Sequence, residues 1–322
     1  MLEERIFNIS NSNDFSRIAL EVFEYQSVNC SVYAEFLRYL ECNISKINSV
    51  EKIPFLPIQF FKSHKVLSSS SEIEQVFLSS GTGGVQSQHF VSNLELYRKS
   101  FTKGFEFFYG PIEDYLVLAL LPGYLEREGS SLIYMARDFI NKSYYDQSGF
   151  FLNNTHELFE ILEKHQDKKV VLLGVSYALL DFAEKYVVNI PNLIVMETGG
   201  MKGRRKEMIR LELHDHLKRG FGTSKIHSEY GMTELLSQAY SAGEGFFKCP
   251  PWMQIRIRDT EDALSLLPSQ KSGGVNIIDL ANLNSCSFIA TQDLGKSYDD
   301  GSFEILGRFD NSDIRGCNLL IS

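Results

Sequence analysis

The sequence predicts an α/β protein in three stretches: a helical cap over residues 1–52, an α/β core over 53–245 and a β-rich subdomain over 246–322. Three patterns predict it. Apolar residues recur at three- and four-residue spacing at the start of the chain, as they do along a helix buried on one side. In the middle, short wholly apolar runs alternate with helical patterns, which argues for a mainly parallel sheet covered on both faces. In the last quarter, strand-like runs follow one another with little helix between them.

Element by element, Phe15, Ile18, Ala19, Val22 and Phe23 mark a first helix, and Tyr33, Phe36, Leu37 and Leu40 a second. Ile53-Pro-Phe-Leu-Pro57 breaks the periodicity, because proline fixes φ and lacks an N–H, and a structural transition is expected there. Ser68 to Ser71 reads as a surface loop. Gln75 to Leu78 reads as a strand running into the loop Ser79-Ser-Gly-Thr-Gly-Gly-Val85, with a helix from about Asn93 carrying Leu94, Tyr97, Phe101 and Phe105 on one face. Phe101, Phe105 and Phe108 are read as core. Strands follow at 115–120, 169–173 and 193–196, with helices near 156–165 and 177–186. The final strands are expected at 253–257, 275–278, 288–291 and 303–306.

Charge and cysteine content exclude several functions. With 32 Lys and Arg against 41 Asp and Glu in 322 residues, the formal charge is −9. Nucleic acid is therefore not the expected partner, since phosphate contacts need clustered cations. The five cysteines are scattered without C-x-x-C pairs, so reduced thiols are expected rather than structural zinc. Met1-Leu-Glu-Glu-Arg5 has neither a basic nor an apolar leader pattern, and the run from Tyr115 stops at Pro122, short of a membrane span. The reading is a cytoplasmic protein, neither exported nor membrane-spanning.

Several local patterns carry chemistry. Ser79 to Gly84 is rich in glycine and hydroxyls, so its backbone amides can cradle a polyphosphate, or it is a mobile turn. It lacks the Gly-Lys-Ser/Thr end of a Walker A loop and the last glycine of a dinucleotide fingerprint. Gly174-Val-Ser176-Tyr-Ala178 imitates the nucleophile elbow of serine hydrolases. That chemistry needs a late histidine, however, and the last one is His227, so Ser176 reads as a helix N-cap. His214 and His216 lie two apart on a helix and cannot converge on one metal, so a solvated face is expected there. Glu126-Arg127-Glu128 reads as a charged loop.

Glu197-Thr-Gly-Gly200, Ser228-Glu-Tyr-Gly-Met-Thr-Glu234, Thr291-Gln-Asp-Leu-Gly295 and Gly307-Arg-Phe-Asp310, in this order after the glycine-rich loop, resemble the core motifs of the adenylate-forming ligase superfamily. Within it, Phe55 to Lys62, Glu126 with Ser130-Ser-Leu132, Glu197 to Arg205 and Arg315-Gly-Cys317 resemble the LuxE acyl-protein synthetases. The resemblance implies an adenylate-forming core that uses ATP and Mg²⁺ to activate a fatty acid and then acylates a thiol. It implies that Ser80, Gly81, Thr82 and Gly84 hold phosphates, that Gly199 and Gly200 form an adenine shelf, and that Tyr230 lines it. Thr233 and Glu234 would be catalytic, with Glu234 on Mg²⁺. Asp293 would bind the ribose, Arg308 would supply a nearby cation, and Cys317 would accept the acyl group. The implied partner is an acyl-CoA reductase or an acyl-acceptor protein.

Two departures qualify the expectation. Gly83 stands where the superfamily loop has a second threonine, and no lysine follows before Lys99, which leaves Lys202 to Lys206 to help grip phosphate. The chain ends soon after Arg308, without the mobile C-terminal lid, which favours acyl-protein synthesis over CoA ligation. Structural readings stand beside these: Asp293 as a strand end, Glu234 at a helix N-terminus, Arg308 paired with Asp310, and Cys317 as an apolar strand residue. The alternative functions are a carboxylate–CoA ligase, a serine hydrolase using Ser176, and a non-catalytic nucleotide-binding subunit.

Overall fold

The computed structural model describes residues 2–80, 85–122, 129–199 and 208–309. In chain order it has α1 (Leu2–Ile6), α2 (Ser12–Asn29), α3 (Ser31–Tyr39), β1 (Leu56–Pro57), α4 (Phe60–Ser63), β2 (Gln75–Leu78), β3 (Gln88–Val91), α5 (Leu94–Tyr109), β4 (Leu116–Leu120) and α6 (Ser131–Lys142). There follow β5 (Gly149–Phe151), α7 (Thr155–Lys164), β6 (Val170–Val175), α8 (Ser176–Lys185), β7 (Leu193–Thr198), α9 (Arg210–Phe221), β8 (His227–Tyr230) and β9 (Ala239–Ser241). The last strands are β10 (Phe247–Lys248), β11 (Met253–Arg258), β12 (Ser272–Asp279), β13 (Phe288–Ser297) and β14 (Phe303–Arg308). The chain forms two compact units, one from Met1–Ser68 with Pro251–Ser322 and the other from Ser69–Pro250.

In the first unit, β11, β12, β13 and β14 pair antiparallel in sequence order, and β1 adds to β13 in parallel. The alternating burial of β11 fits a sheet with one packed face. On that core lie Phe15, Phe23 and Tyr33 of the N-terminal helices, with Phe23 and Tyr33 each about 6 Å, 6.1 Å between ring centroids, from Phe288. Gln26 ties the helices down. Its side-chain nitrogen donates to the carbonyls of Asn282 and Leu283 at 2.9 Å, and its oxygen accepts from the Ser287 N–H at 2.9 Å. A buried amide so placed bonds three backbone groups of one tight turn at once. The same turn holds Ser68, whose hydroxyl donates to the Leu283 carbonyl at 2.6 Å. Ser68 is buried, so the expected surface loop begins only after it.

In the second unit, β5, β4, β6, β7 and β8 form a parallel sheet that β9 and β10 extend antiparallel. Every residue of β4 and β6 is buried, as strands covered on both faces require. Phe101 and Phe105 are core, as expected, packing on Phe139 at 5.3 Å. Helices α8 and α9 touch closely at Gly220, where an added Cβ would stand 2.8 Å from the Ala183 carbonyl oxygen. One element differs from expectation: the glycine-rich loop does not lead from strand to helix. β3 intervenes and pairs antiparallel with β2, Leu78 opposite Gln88, making the loop a hairpin connection. His89, Phe90 and Val91 are too short a run to stand out between the loop and the helix cap Asn93.

Candidate functional site

The site of the second unit is built where β7 and β8 end. They run parallel with Glu197 beside Ser228, so Thr198-Gly199 and Glu229-Tyr230 emerge side by side at the carboxyl edge, where open α/β sheets bind ligands. Gly199 has φ +69°, a left-handed conformation that glycine adopts without strain, and is exposed. Tyr230 is half-buried, its ring 5.9 Å from Phe247. Thr233 and Glu234 follow on a turn, Glu234 buried. No helix begins there, so Glu234 is not a dipole-stabilised helix start. His89 of β3, which the sequence did not single out, donates through Nδ1 to the Thr233 carbonyl at 2.8 Å. Burial pushes that imidazole down to about 4, against the raising effect of this carbonyl, so it is neutral at physiological pH.

Side chains alternate across a strand, so Glu197 and Glu229 face opposite sides of the sheet and meet different surroundings. Glu197 faces α8 and α9. Its carboxylate accepts from the Ser176 hydroxyl at 3.1 Å, and its other oxygen lies 3.6 Å from His214 Nε2 and 3.7 Å from Arg210 Nε. Burial raises its pKa, but the His214 hydrogen bond, the Arg210 charge and Ser228 outweigh it and leave the group below its ordinary value. Glu229 faces α5 and accepts a short hydrogen bond from the Thr198 hydroxyl. Burial pushes its carboxyl up to about 7; the Thr198 hydroxyl opposes the shift and the Glu197 charge adds to it.

These contacts correct two expectations. Ser176 is the first residue of α8 rather than its cap, and its hydroxyl bonds Glu197 and, at 3.1 Å, the Gly199 carbonyl. The hydrolase elbow pairs its serine with a histidine base, whereas here the Glu197 carboxylate stands between Ser176 and His214. His214 is buried, so only His216 lies on the solvated face of α9.

The glycine-rich loop is described only at its ends. Ser79 clasps Ser87, its N–H donating to the Ser87 carbonyl at 3.1 Å and its hydroxyl accepting from the Ser87 N–H at 2.9 Å. Ser80 is exposed beside it. Gly81, Thr82, Gly84, Gly200, Lys202 to Lys206, Glu126 to Glu128, Asp310 and Cys317 lie outside the described residues.

The first unit holds the remaining pair. Asp293 sits inside β13, not at its end, and lies opposite Arg308 of β14 in the register. Arg308 Nε donates to Asp293 Oδ1 at 3.0 Å, the carboxylate largely buried and the guanidinium exposed. Arg308 thus partners Asp293 at the mouth of the strand pair.

The family match runs through residues 5–322. The chain belongs to the LuxE acyl-protein synthetase family. No curated protein matches it. Among solved structures, this LuxE-family chain is similar to 2-hydroxyisobutyryl-CoA ligase in complex with 2-HIB-AMP and CoA, at TM-score 0.68 and 12% identity, over 94% of this chain and 72% of that one. It also resembles ATP-bound MatB from Rhodopseudomonas palustris, at TM-score 0.57 and 15% identity, and an ATP-bound RpMatB-BxBclM chimera, at 0.58 and 17%. Both matches cover 74% of this chain and 49% of the other, so the chain spans about half the length of these structures. At such identities the likeness establishes the fold, that of the adenylate-forming ligases. Among the described residues no helix is long and apolar enough to cross a membrane.

Proposed function

We propose that the protein activates a fatty acid with ATP and passes the acyl group to a cysteine thiol. A carboxylate oxygen bonds to the α-phosphorus of ATP as pyrophosphate leaves, and the thiolate of Cys317 then attacks the acyl carbon as AMP leaves. The observation that supports this reading is the pairing of β7 with β8, which delivers the Gly199 backbone and Tyr230 together at the edge of the parallel sheet, with Thr233 and Glu234 one turn further on. Gly199 and Gly200 would shelve the adenine, Tyr230 would line it, and Ser80, Gly81, Thr82 and Gly84 would grip phosphates. Asp293 would accept from the ribose hydroxyls, Arg308 holding its carboxylate in place.

Mg²⁺ fits the donor set. It binds through one or two carboxylates while phosphates and water fill the remaining positions, so Glu234 suffices, and among the described residues no cluster of three ligating side chains is present. When bound, the ion would neutralise charge on the phosphates. The acceptor downstream would be an acyl-CoA reductase or another acyl-carrying protein in the cytoplasm. Fatty-acid-dependent ATP–pyrophosphate exchange across a panel of chain lengths tests the reading. Exchange with at least one acid is expected, and its absence in folded, ATP-binding protein would overturn it.

A further inference from the structure

On the α5 side of the sheet, four polar side chains of the second unit gather at the strand ends. Thr198 and Glu229 are neighbours on β7 and β8. Tyr240 of β9 is the direct cross-strand partner of Glu229, so their side chains share a face. Gln238 just precedes β9, and its Cγ would be 3.3 Å from a Cβ placed on Gly231, the position that Glu229 also approaches. The same Cβ would stand 2.4 Å from Glu229 Oε1, so a side chain at 231 would displace the carboxyl from its place beside the amide.

Two of these groups are incomplete. Gln238 and Tyr240 are 5% and 3% exposed, yet Gln238 Oε1 and the Tyr240 hydroxyl have no hydrogen-bond partner among the described residues. Buried polar atoms are almost always paired, and an orphaned one is costly enough to need an explanation. One orphan is an acceptor and the other carries a donor proton. A single hydroxyl answers both, accepting from Tyr240 and donating to Gln238, whereas an ammonium has no acceptor for the tyrosine proton. Thr198 and Glu229 immediately precede Gly199 and Tyr230 of the proposed nucleotide site, so the orphans lie at the same strand ends that the adenylation reading uses.

We propose that Thr198, Glu229, Gln238 and Tyr240 form a polar subsite that binds a hydroxyl group on the carboxylic acid substrate. The inference rests on the adenylation reading and narrows it: the preferred substrate is a hydroxylated acid rather than a plain one. With the hydroxyl seated, the Glu229 carboxyl completes the ring of partners, and its tendency to remain protonated near neutral pH avoids an uncompensated buried charge.

The test is acid-dependent ATP–pyrophosphate exchange with chain-matched sets of unsubstituted, 2-hydroxy, 3-hydroxy and 2-amino acids, using wild type, Tyr240→Phe and Gln238→Met. Wild type should favour one hydroxy acid over its unsubstituted counterpart by roughly tenfold or more in kcat/KM. Each variant should lose that preference through a rise in KM for the hydroxy acid. Exchange that shows no such preference, or a preference untouched in both variants, would overturn the subsite and leave adenylation standing. A preference for the amino acid would overturn the hydroxyl assignment. No exchange with any acid would overturn the adenylation reading and the subsite together.

Discussion

At the scale of single residues, the two carboxylates of neighbouring strands separate sharply. Glu197 is held ionised by His214, Arg210 and Ser228, while Glu229 is buried with the Thr198 hydroxyl donating to it. Because folding raises the Glu229 pKa from 4.5 to about 7, the folded state binds more protons between those values, and this residue's contribution to stability falls as pH rises through that window. Glu229→Gln should therefore stabilise the protein by roughly 3 kcal/mol at pH 8 and by much less at pH 5, as read from urea midpoints. Glu234→Gln should cut exchange by roughly 10²–10³, and Asp293→Asn should abolish nucleotide use, with melting temperatures unchanged. Near-wild-type rates would make both residues merely structural. Cys317→Ser should still form acyl-adenylate but lose the hydroxylamine-sensitive label left by labelled fatty acid and ATP; label persisting there or mapping to another cysteine would refute the acceptor. Glu234, Tyr230 and Asp293 stood out in the sequence because their motifs are contiguous. His89, His214 and Glu229 were not, since each acts through a partner far along the chain that only strand register brings near.

At the scale of elements, α8 and α9 hold the Glu197 cluster from one side. α8 begins at Ser176, α9 carries His214, and the two helices close on each other at Gly220. Gly→Ala inside a helix ordinarily adds about 1 kcal/mol of stability. Here the methyl would drive into the Ala183 backbone, so Gly220→Ala should instead cost roughly 1–3 kcal/mol, and combining it with Ala183→Gly should recover part of the loss in thermal denaturation. Equal stability of wild type and the single variant would show that the helices can separate freely. The parallel strands were the most legible elements, because wholly apolar runs of five or six residues between helical patterns admit few other structures. β3 was missed for the opposite reason: four residues, one of them a buried histidine, give too little period to detect.

At the scale of the whole molecule, sequence order and packing order diverge. The helical cap and the β-rich strands were each visible in the sequence, but not that both belong to one compact unit, since nothing local announces a contact between residues 26 and 282. Gln26→Ala would strip the buried Ser287 N–H of its amide acceptor and take one of the donors from each of the turn carbonyls of Asn282 and Leu283, which keep Ser285 N–H and the Ser68 hydroxyl. It should cost roughly 3 kcal/mol, measured as a shift in urea midpoint at constant m-value. A change below 0.5 kcal/mol would mean that water replaces the amide easily. The same clamp sets a clock during synthesis. Its two sides are 256 residues apart, and at 5–20 residues per second the ribosome needs roughly 10–50 s to deliver the second after the first. Over that interval Phe15, Phe23 and Tyr33 have no sheet to cover them, while the intervening 182-residue stretch from Ser69 to Pro250 emerges in full. These helices are thus made long before the strands that cover them, and until those strands arrive Phe15, Phe23 and Tyr33 stay open to aggregation and to chaperones.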